Sequence, residues 1–282
     1  MATASDILAG VQSRVFKDGA TFSTTTVPTQ VEALRWLTED VKTIAGICAQ
    51  ERSELGRTEG SITTRTATIS AITQANPGAV TTSAVHGLSS GDTVLIKSVS
   101  GMTEVNDYRF TATVTSTTAF TIGTNTSSYT AYSSEGTVYP INYSLSNIYG
   151  INKFGWIQKS NARDRINLIN GLDVVDYSPS VVSEPEAFYI NESGDICFCD
   201  TADQAYTIKV PYWAVPTTID DTTDTVPFKG VFDNLLIESL TMRILNRDEY
   251  KLDYELNWYK FLLSEARKIV RMRMNPTASV GL

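Results

Sequence analysis

The chain has 282 residues and a formal net charge of −8, with 42% hydrophobic and 19% charged residues. This is the composition of a globular protein with one large core or two smaller ones. The acidic balance argues against a surface that grips nucleic-acid phosphates, because such a surface needs clustered cations. No apolar run reaches the roughly 18 residues of a membrane span. The start, MATASDILAG, lacks the features of a signal peptide, so we expect synthesis in a cytoplasm and no membrane partner.

The first region, residues 1–63, carries two helical patterns. Ser5 and Asp6 suit the start of a short helix, and the turn KDG at residues 17–19 ends it. A second helix follows TVPTQ, in which Pro28 occupies a position that a first helical turn tolerates. Its apolar residues recur at steps of three and four: they are Val31, Leu34, Val41, Ile44 and Cys48. We expect this helix to end by Gly56.

The second region, residues 64–138, is predicted to be a small all-β module. It is rich in Ser and Thr and poor in charge, and β-branched threonine favours strands. Alternating runs such as GDTVLIKSV and YRFTATVTS are separated by turn sequences such as ANPG and HGLSSGD. This regular alternation argues against a disordered linker. Four aromatic residues are available for a core: Phe110, Phe120, Tyr129 and Tyr132.

The third region, residues 139–282, places strands before helices. EAFYINESGDICFCD predicts a hairpin that turns at Ser193 and Gly194. QAYTIKVPYW predicts another strand, in which Pro211 indicates an edge or a bulge. After an acidic loop, apolar periodicity predicts helices over about 228–245 and 250–274.

No constellation of residues points to catalysis. His86, the only histidine, precedes the turn GLSSGD and is more typical of a structural turn than of a general base. The sequence has no nucleophile elbow and no phosphate-binding loop. Cys197 and Cys199 share a strand face, but no second Cys or His pair completes a zinc site. We therefore expect no enzymatic activity, no cofactor and no metal, with reduced, buried thiols.

The segment from Ile72 to Val138 resembles the FCCH domain of ubiquitin-activating enzyme, a β-module that also occurs as an insertion in bacteriophage virion proteins. The stretches HGLSSGD, SGMTEVND and YTAYSSEG carry this resemblance. It assigns His86 to the turn signature of a structural module and implies no ubiquitin chemistry.

The flanking regions resemble the head-to-tail adaptor (connector) proteins of tailed bacteriophages. The matching stretches are SDILAGVQSRVFKDG, QVEALRWLTEDV and the run from Glu184 to Leu245. The match is one of order and pattern, because the family has no sharp motif. It implies an α+β fold in which a helical adaptor core with a β-layer and long C-terminal helices carries the inserted all-β domain.

This resemblance implies a virion protein that joins capsid to tail as a ring of about twelve copies. Its partners would be other copies of itself, the portal protein above and a downstream tail or nozzle protein below, at the head–tail interface. DNA would pass through the lumen during ejection without specific binding, since an acidic surface repels phosphates. The alternative is a tail fibre, baseplate or decoration protein with a β-adhesion module. A tail-associated hydrolase has less support, because no catalytic constellation is recognisable.

The C-terminus carries the predicted portal-docking residues. Its last helix ends in four cations, which suit a helix C-terminus through the helix dipole: Arg267, Lys268, Arg271 and Arg273. The adaptor resemblance implies that they dock on the portal together with the segment that follows, through Pro276, Val280 and Leu282. The alternative is an exposed helix end with a frayed terminus.

Overall fold

The computed structural model describes residues 2–16, 19–145, 147–152, 154–159, 162–170, 181–246 and 252–274. Its contacts divide the chain into two units. The first comprises Met1–Thr58, Asn147–Ile151 and Tyr212–Leu282, and the second comprises Glu59–Ser146 and Asn152–Pro211. The three domains predicted from the sequence, with boundaries at 63/64 and 138/139, stay a prediction.

Four helices and 17 strands lie within the described residues. The helices are α1 (Ala4–Val15), α2 (Gln30–Gln50), α3 (Asp233–Asn246) and α4 (Leu252–Met274). The strands are β1 (Arg57–Thr63), β2 (Ala67–Ile72), β3 (Ala79–Thr82), β4 (Thr93–Ser100), β5 (Tyr108–Thr111), β6 (Thr113–Ser116), β7 (Ala119–Thr121), β8 (Ser134–Pro140), β9 (Asn142–Tyr143), β10 (Ile148–Ile151), β11 (Phe154–Gln158), β12 (Arg163–Leu168), β13 (Val182–Ser183), β14 (Ala187–Ile190), β15 (Ile196–Phe198), β16 (Thr201–Ala202) and β17 (Thr207–Ala214).

The expected α+β fold with a helical adaptor core is wrong. The described chain is mostly β: it has four helices, and its 17 strands form sheets of eight, seven and two strands. The error came from the segments around residues 57–63 and 139–170, whose strands are short or carry charges, as in RDRINL. Such segments lack the clean alternation by which a half-buried strand is recognised.

The four helices lie in the first unit and form around the apolar stripes seen in the sequence. Threonine caps begin α1 and α2: Thr3 with Asp6 and Thr29 with Glu32 each make a reciprocal capping box. Pro28 therefore precedes the cap of α2 instead of lying in its first turn. The core of this unit gathers side chains from all four helices, among them Ile7, Leu37, Val41, Leu236, Leu240 and Leu262.

The all-β module forms the seven-stranded sheet of the second unit, in the order β5-β4-β8-β2-β3-β7-β6. Its core is a separate apolar cluster in which Phe120 is fully buried. The other three aromatic residues named above are partly buried and pack against this cluster: Phe110, Tyr129 and Tyr132. The predicted strands and aromatic core of this region are therefore present, while its bounds at residues 64 and 138 stay a prediction.

The eight-stranded sheet follows the order β1-β17-β11-β12-β14-β15-β9, and β10 also pairs with β17. The predicted hairpin is present, since β14 and β15 pair antiparallel around Gly194. Pro211 was expected to mark an edge or a bulge. The edge is wrong, because β17 lies between two neighbours, whereas the pairing of β10 with β17 does carry a register shift, between Ile148 and Gly150. Proline is tolerated there because the partner of β17 changes at this point: Lys209 faces β11, whereas Tyr212 faces β10.

A buried polar network joins α2, α3 and α4. Asp40 is fully buried in α2 and accepts hydrogen bonds from the Ser239 hydroxyl at 2.6 Å and from Arg243 Nη1 at 3.1 Å. The Trp258 indole N–H donates to Ser239 Oγ at 2.6 Å. The Arg243 guanidinium lies 4.3 Å from the centroid of the Trp258 ring, a cation–π distance.

Burial raises the pKa of Asp40 to about 7, although the hydrogen bond from Ser239 and the charge of Arg243 both lower it. Because the folded pKa lies above the unfolded value, the contribution of Asp40 to stability is fully present below about pH 4. That contribution is lost as the pH rises through 7, since the charged carboxylate is then held in a buried site.

Asp40→Asn should remove this pH dependence, because an amide of similar shape does not ionise. We expect the free energy of unfolding of the wild type, relative to the variant, to fall between about pH 4 and 8, by at most about 1.4 kcal/mol per pH unit. Urea unfolding followed by tryptophan fluorescence measures it. Glu238→Gln, a change at an exposed acid of α3, is the control. A difference that stays constant over this pH range would contradict the role given to Asp40.

The two ends of the module are neighbours in its sheet. Ala67 of β2 faces Val138 of β8, and Thr68 faces Thr137. Opposed residues in an antiparallel pair lie about 5 Å apart, so a short linker can replace everything between them.

Replacing residues 69–136 by a Gly-Ser linker should leave the first unit folded, because the helical core and the module core are separate clusters. A cut at residues 75–136 is the comparison, and it should give less soluble protein. It leaves Ile69 and Ile72 of β2, both buried in the intact module, without most of their cluster. Far-UV circular dichroism and thermal melting report the helices. Loss of cooperative melting in the 69–136 variant would show that the helical unit needs the module.

Candidate functional site

The four cations predicted to dock on the portal lie in the last turns of α4, and all four are exposed. They are Arg267, Lys268, Arg271 and Arg273. Three further docking residues, Pro276, Val280 and Leu282, lie outside the described residues. The docking role of all seven stays a prediction.

Arg271 holds the end of α4 to the end of α2. Its Nη2 and Nε donate to the two carboxylate oxygens of Glu51 at 2.9 and 3.2 Å. These hydrogen bonds lower the pKa of Glu51. Arg267 donates to Gln50 Oε1 at 3.4 Å and lies 4.0 Å from Glu51. Arg267 and Arg271, which the sequence predicted to bind the portal, therefore already contact residues at the end of α2.

A shallow groove of about 320 Å³ lies beside these cations. One face of α2, the strand β10 and one face of α4 form its walls. The α4 residues recur every four positions, which places them on one stripe of the helix. The lining residues are Lys42, Thr43, Gly46, Ile47, Gln50, Tyr149, Tyr259, Leu263 and Arg267.

Two tyrosines give the groove an aromatic surface. Tyr149 is 42% exposed and Tyr259 is 44% exposed. The Tyr149 hydroxyl donates to the Lys42 carbonyl at 3.1 Å, which fixes its ring against α2. Tyrosine offers a large, stiff contact area with a polar tip and is enriched in protein interfaces. The groove thus has the chemistry of a protein-binding surface.

Gly46 stands inside α2, where glycine costs about 0.5–1 kcal/mol relative to alanine. A Cβ at this position would meet nothing within 4 Å. Gly10 of α1 is different, since a Cβ there would lie 2.6 Å from Ile237 Cδ1. Packing within the chain therefore explains Gly10 but not Gly46, and the missing side chain leaves the α2 backbone approachable from the groove.

His86 is a structural residue of the module turn. It is 3% exposed, its Nδ1 accepts from the Leu88 N–H at 2.9 Å, and its Nε2 lies 3.0 Å from the Ser116 carbonyl. Since Nδ1 accepts, the ring proton belongs on Nε2 and is donated to Ser116. Its ring meets Phe120 edge-on, with centroids 5.5 Å apart. Both ring nitrogens are thus engaged by backbone.

The three thiols are free and buried. Burial raises the pKa of Cys48 to about 12 and the pKa values of Cys197 and Cys199 to about 11. Because the thiolate is the reactive form, these groups are poor nucleophiles near neutral pH. Across the ranges that the structure describes, no three His, Cys, Asp or Glu side chains are grouped to hold a metal ion. No helix in those ranges is both long enough and apolar enough to span a membrane.

The family model of the ubiquitin-activating enzyme E1 FCCH domain matches residues 75–142. This match confirms the resemblance of the β-module to that domain. It covers less than half of the 282 residues and says nothing of the helical unit. No curated protein matches the chain.

The assignment of the flanking regions to the head-to-tail adaptor family is wrong. The family that matches is the FCCH domain, and no phage family is found. The assignment had rested on the order of helices and strands, and such an order recurs in unrelated proteins. The mostly β architecture also departs from the helical core that it required.

Gly46→Ala should raise the free energy of unfolding by about 0.5–1 kcal/mol, because the new methyl group enters open space while the helix gains propensity. Gly10→Ala is the matched change and should lower it, since its Cβ meets Ile237. Urea denaturation of both variants and the wild type measures the two effects. Destabilisation by Gly46→Ala would mean that the floor of the groove is already filled.

Proposed function

We propose that this protein is a non-enzymatic structural subunit that assembles with copies of itself, and that its helical unit supplies the assembly contact. The observation that carries the proposal is the groove between α2, β10 and α4. It combines two exposed tyrosines, two cations and Gly46, where the absence of a side chain leaves open space.

The packing of the helices supports this proposal. The network around Asp40 and the pair Arg271–Glu51 hold α2 and α4 in place on both sides of the groove. A surface that is already formed before binding loses little conformational freedom when a partner docks. Such a surface suits a subunit that must make the same contact many times.

The chemistry of the described residues favours binding over catalysis. His86 has both nitrogens bonded to backbone, and the thiols have raised pKa values. A nucleophile and a general base must lie within hydrogen-bond reach of each other. Neither His86 nor the thiols offer such a pair.

The narrower setting stays a prediction. It is a virion ring of about twelve copies between portal and tail, with DNA in its lumen. It was implied by the adaptor resemblance, and no family match supports it. The alternative of a tail fibre, baseplate or decoration protein also stays a prediction, and in that case the β-module would carry the binding surface.

Electron microscopy of the purified chain, with sedimentation velocity over a range of concentrations, tests the proposal. We expect closed particles with rotational symmetry whose population grows with concentration. The variant lacking residues 69–136 is the matched control and should assemble equally, because the proposed contact lies in the helical unit. A chain that stays monomeric at every concentration would overturn self-assembly. Loss of particles only in the control variant would move the contact to the module.

A further inference from the structure

We propose that the groove is one half of a head-to-tail contact between copies of this chain. Its occupant is the acidic loop of a second copy, defined here as residues 217–225, TTIDDTTDT. This inference rests on the proposed function, since it assigns the contact through which the copies assemble.

The charge of the groove selects an acidic occupant. Among the described residues, its lining includes Lys42 and Arg267 but no carboxylate, in a chain whose net charge is −8. Glu51, which lies 4.0 Å from Arg267, is already paired through both of its oxygens with Arg271. Opposite charges at the edge of a contact steer association and exclude wrong partners. Two cations without a lining carboxylate therefore favour an acidic segment of a second copy as the occupant.

The acidic loop has exposed aspartates, and hydrogen bonds within the loop hold its conformation. Asp220 and Asp221 are exposed. The Asp224 carboxylate accepts hydrogen bonds from the backbone N–H groups of both residues at 3.0 Å. The Asp221 carboxylate accepts from the N–H and the hydroxyl of Thr223 at 2.8 Å. The backbone hydrogen bond from Thr223 is the main reason that the pKa of Asp221 lies below its ordinary value.

The base of the loop is anchored to the helical unit. The Ile219 N–H donates to the Thr38 hydroxyl at 3.0 Å, and that hydroxyl lies 3.1 Å from the Ile219 carbonyl. The N–H groups of Ala4 and Ser5 donate to the carbonyls of Asp224 and Thr222 at 2.8 and 2.9 Å. The loop is therefore formed before it binds, and docking it costs little ordering entropy.

The groove and the loop have no residue in common, so the contact they make is heterologous. Each copy presents its groove to one neighbour and its loop to the other. Such a contact closes into a ring when the rotation between copies divides a full turn, and forms a filament otherwise. In this contact Gly46 lets the loop backbone of the second copy approach α2 closely, because no side chain lies between them.

Charge reversal on each side tests the contact. Lys42→Glu with Arg267→Glu reverses the groove, and Asp220→Lys with Asp221→Lys reverses the loop. Each double variant alone should assemble at least about tenfold more weakly than the wild type by sedimentation velocity. An equimolar mixture of the two should regain assembly, because the reversed groove then meets the reversed loop and the native groove meets the native loop.

Two further variants separate the contact from the fold. Arg14→Glu with Lys260→Glu reverses two exposed cations that lie outside both the groove and the predicted docking set, and should assemble as the wild type does. Gly46→Leu fills the groove and should block assembly without lowering the melting temperature. If Arg267→Glu disturbs the fold by breaking the contact of Arg267 with Gln50, Gly46→Leu still tests whether the groove is the binding surface.

The outcomes distinguish this inference from the proposed function. A wild type that never assembles overturns both. A wild type that assembles, with a groove-reversed variant that assembles equally, overturns the groove alone. Two double variants that stay monomeric when mixed show that the acidic loop is not the occupant, and this also overturns the inference.

Discussion

The buried carboxylate of Asp40 governs how the helical unit is arranged. A carboxylate with no exposed surface needs partners at fixed positions, because leaving such a group unpaired costs several kcal/mol. Ser239 and Arg243 supply those partners from α3, and Trp258 of α4 joins through Ser239. Apolar side chains tolerate small shifts between helices, whereas sliding either helix by one turn would break at least one of these hydrogen bonds. The network therefore sets the register in which the apolar faces meet.

That register places the groove. Trp258 fixes α4 before the groove, and Arg271 fixes it after the groove through Glu51. The groove residues of α4 lie between these two attachments, so their positions relative to α2 follow from them. Because α2 and α4 are attached at both ends of the groove, they cannot shift to fill the space that Gly46 leaves open. In a flexible helix pair that space would close.

The sequence predicted the helices and the β-module well because both depend on local pattern. Apolar steps of three and four marked α2, and alternation with turn residues marked the module. Of the second sheet, the sequence predicted only the hairpin β14–β15 and the strand β17. Its other pairings join distant residues, as where β15 pairs with β9 some fifty residues earlier in the chain. The groove as a whole was missed for the same reason, since α2, β10 and α4 are distant in the chain. Of its residues, Arg267 was predicted to bind a partner, and Gly46 carries a local signal as a glycine inside a helical pattern.

The cations of α4 were interpreted from the sequence as a docking strip for a partner. In the fold, Arg271 is paired with Glu51, and Arg267 is shared between the groove and the end of α2. What remains at the groove is a small positive surface on an acidic chain. Two cations are too few to hold a nucleic-acid backbone, whose binding grows with each phosphate neutralised. They are enough to match two carboxylates at the edge of a protein contact, where complementary charge decides partner and orientation more than affinity. The proposed contact with the acidic loop of a second copy asks no more of these two cations than that.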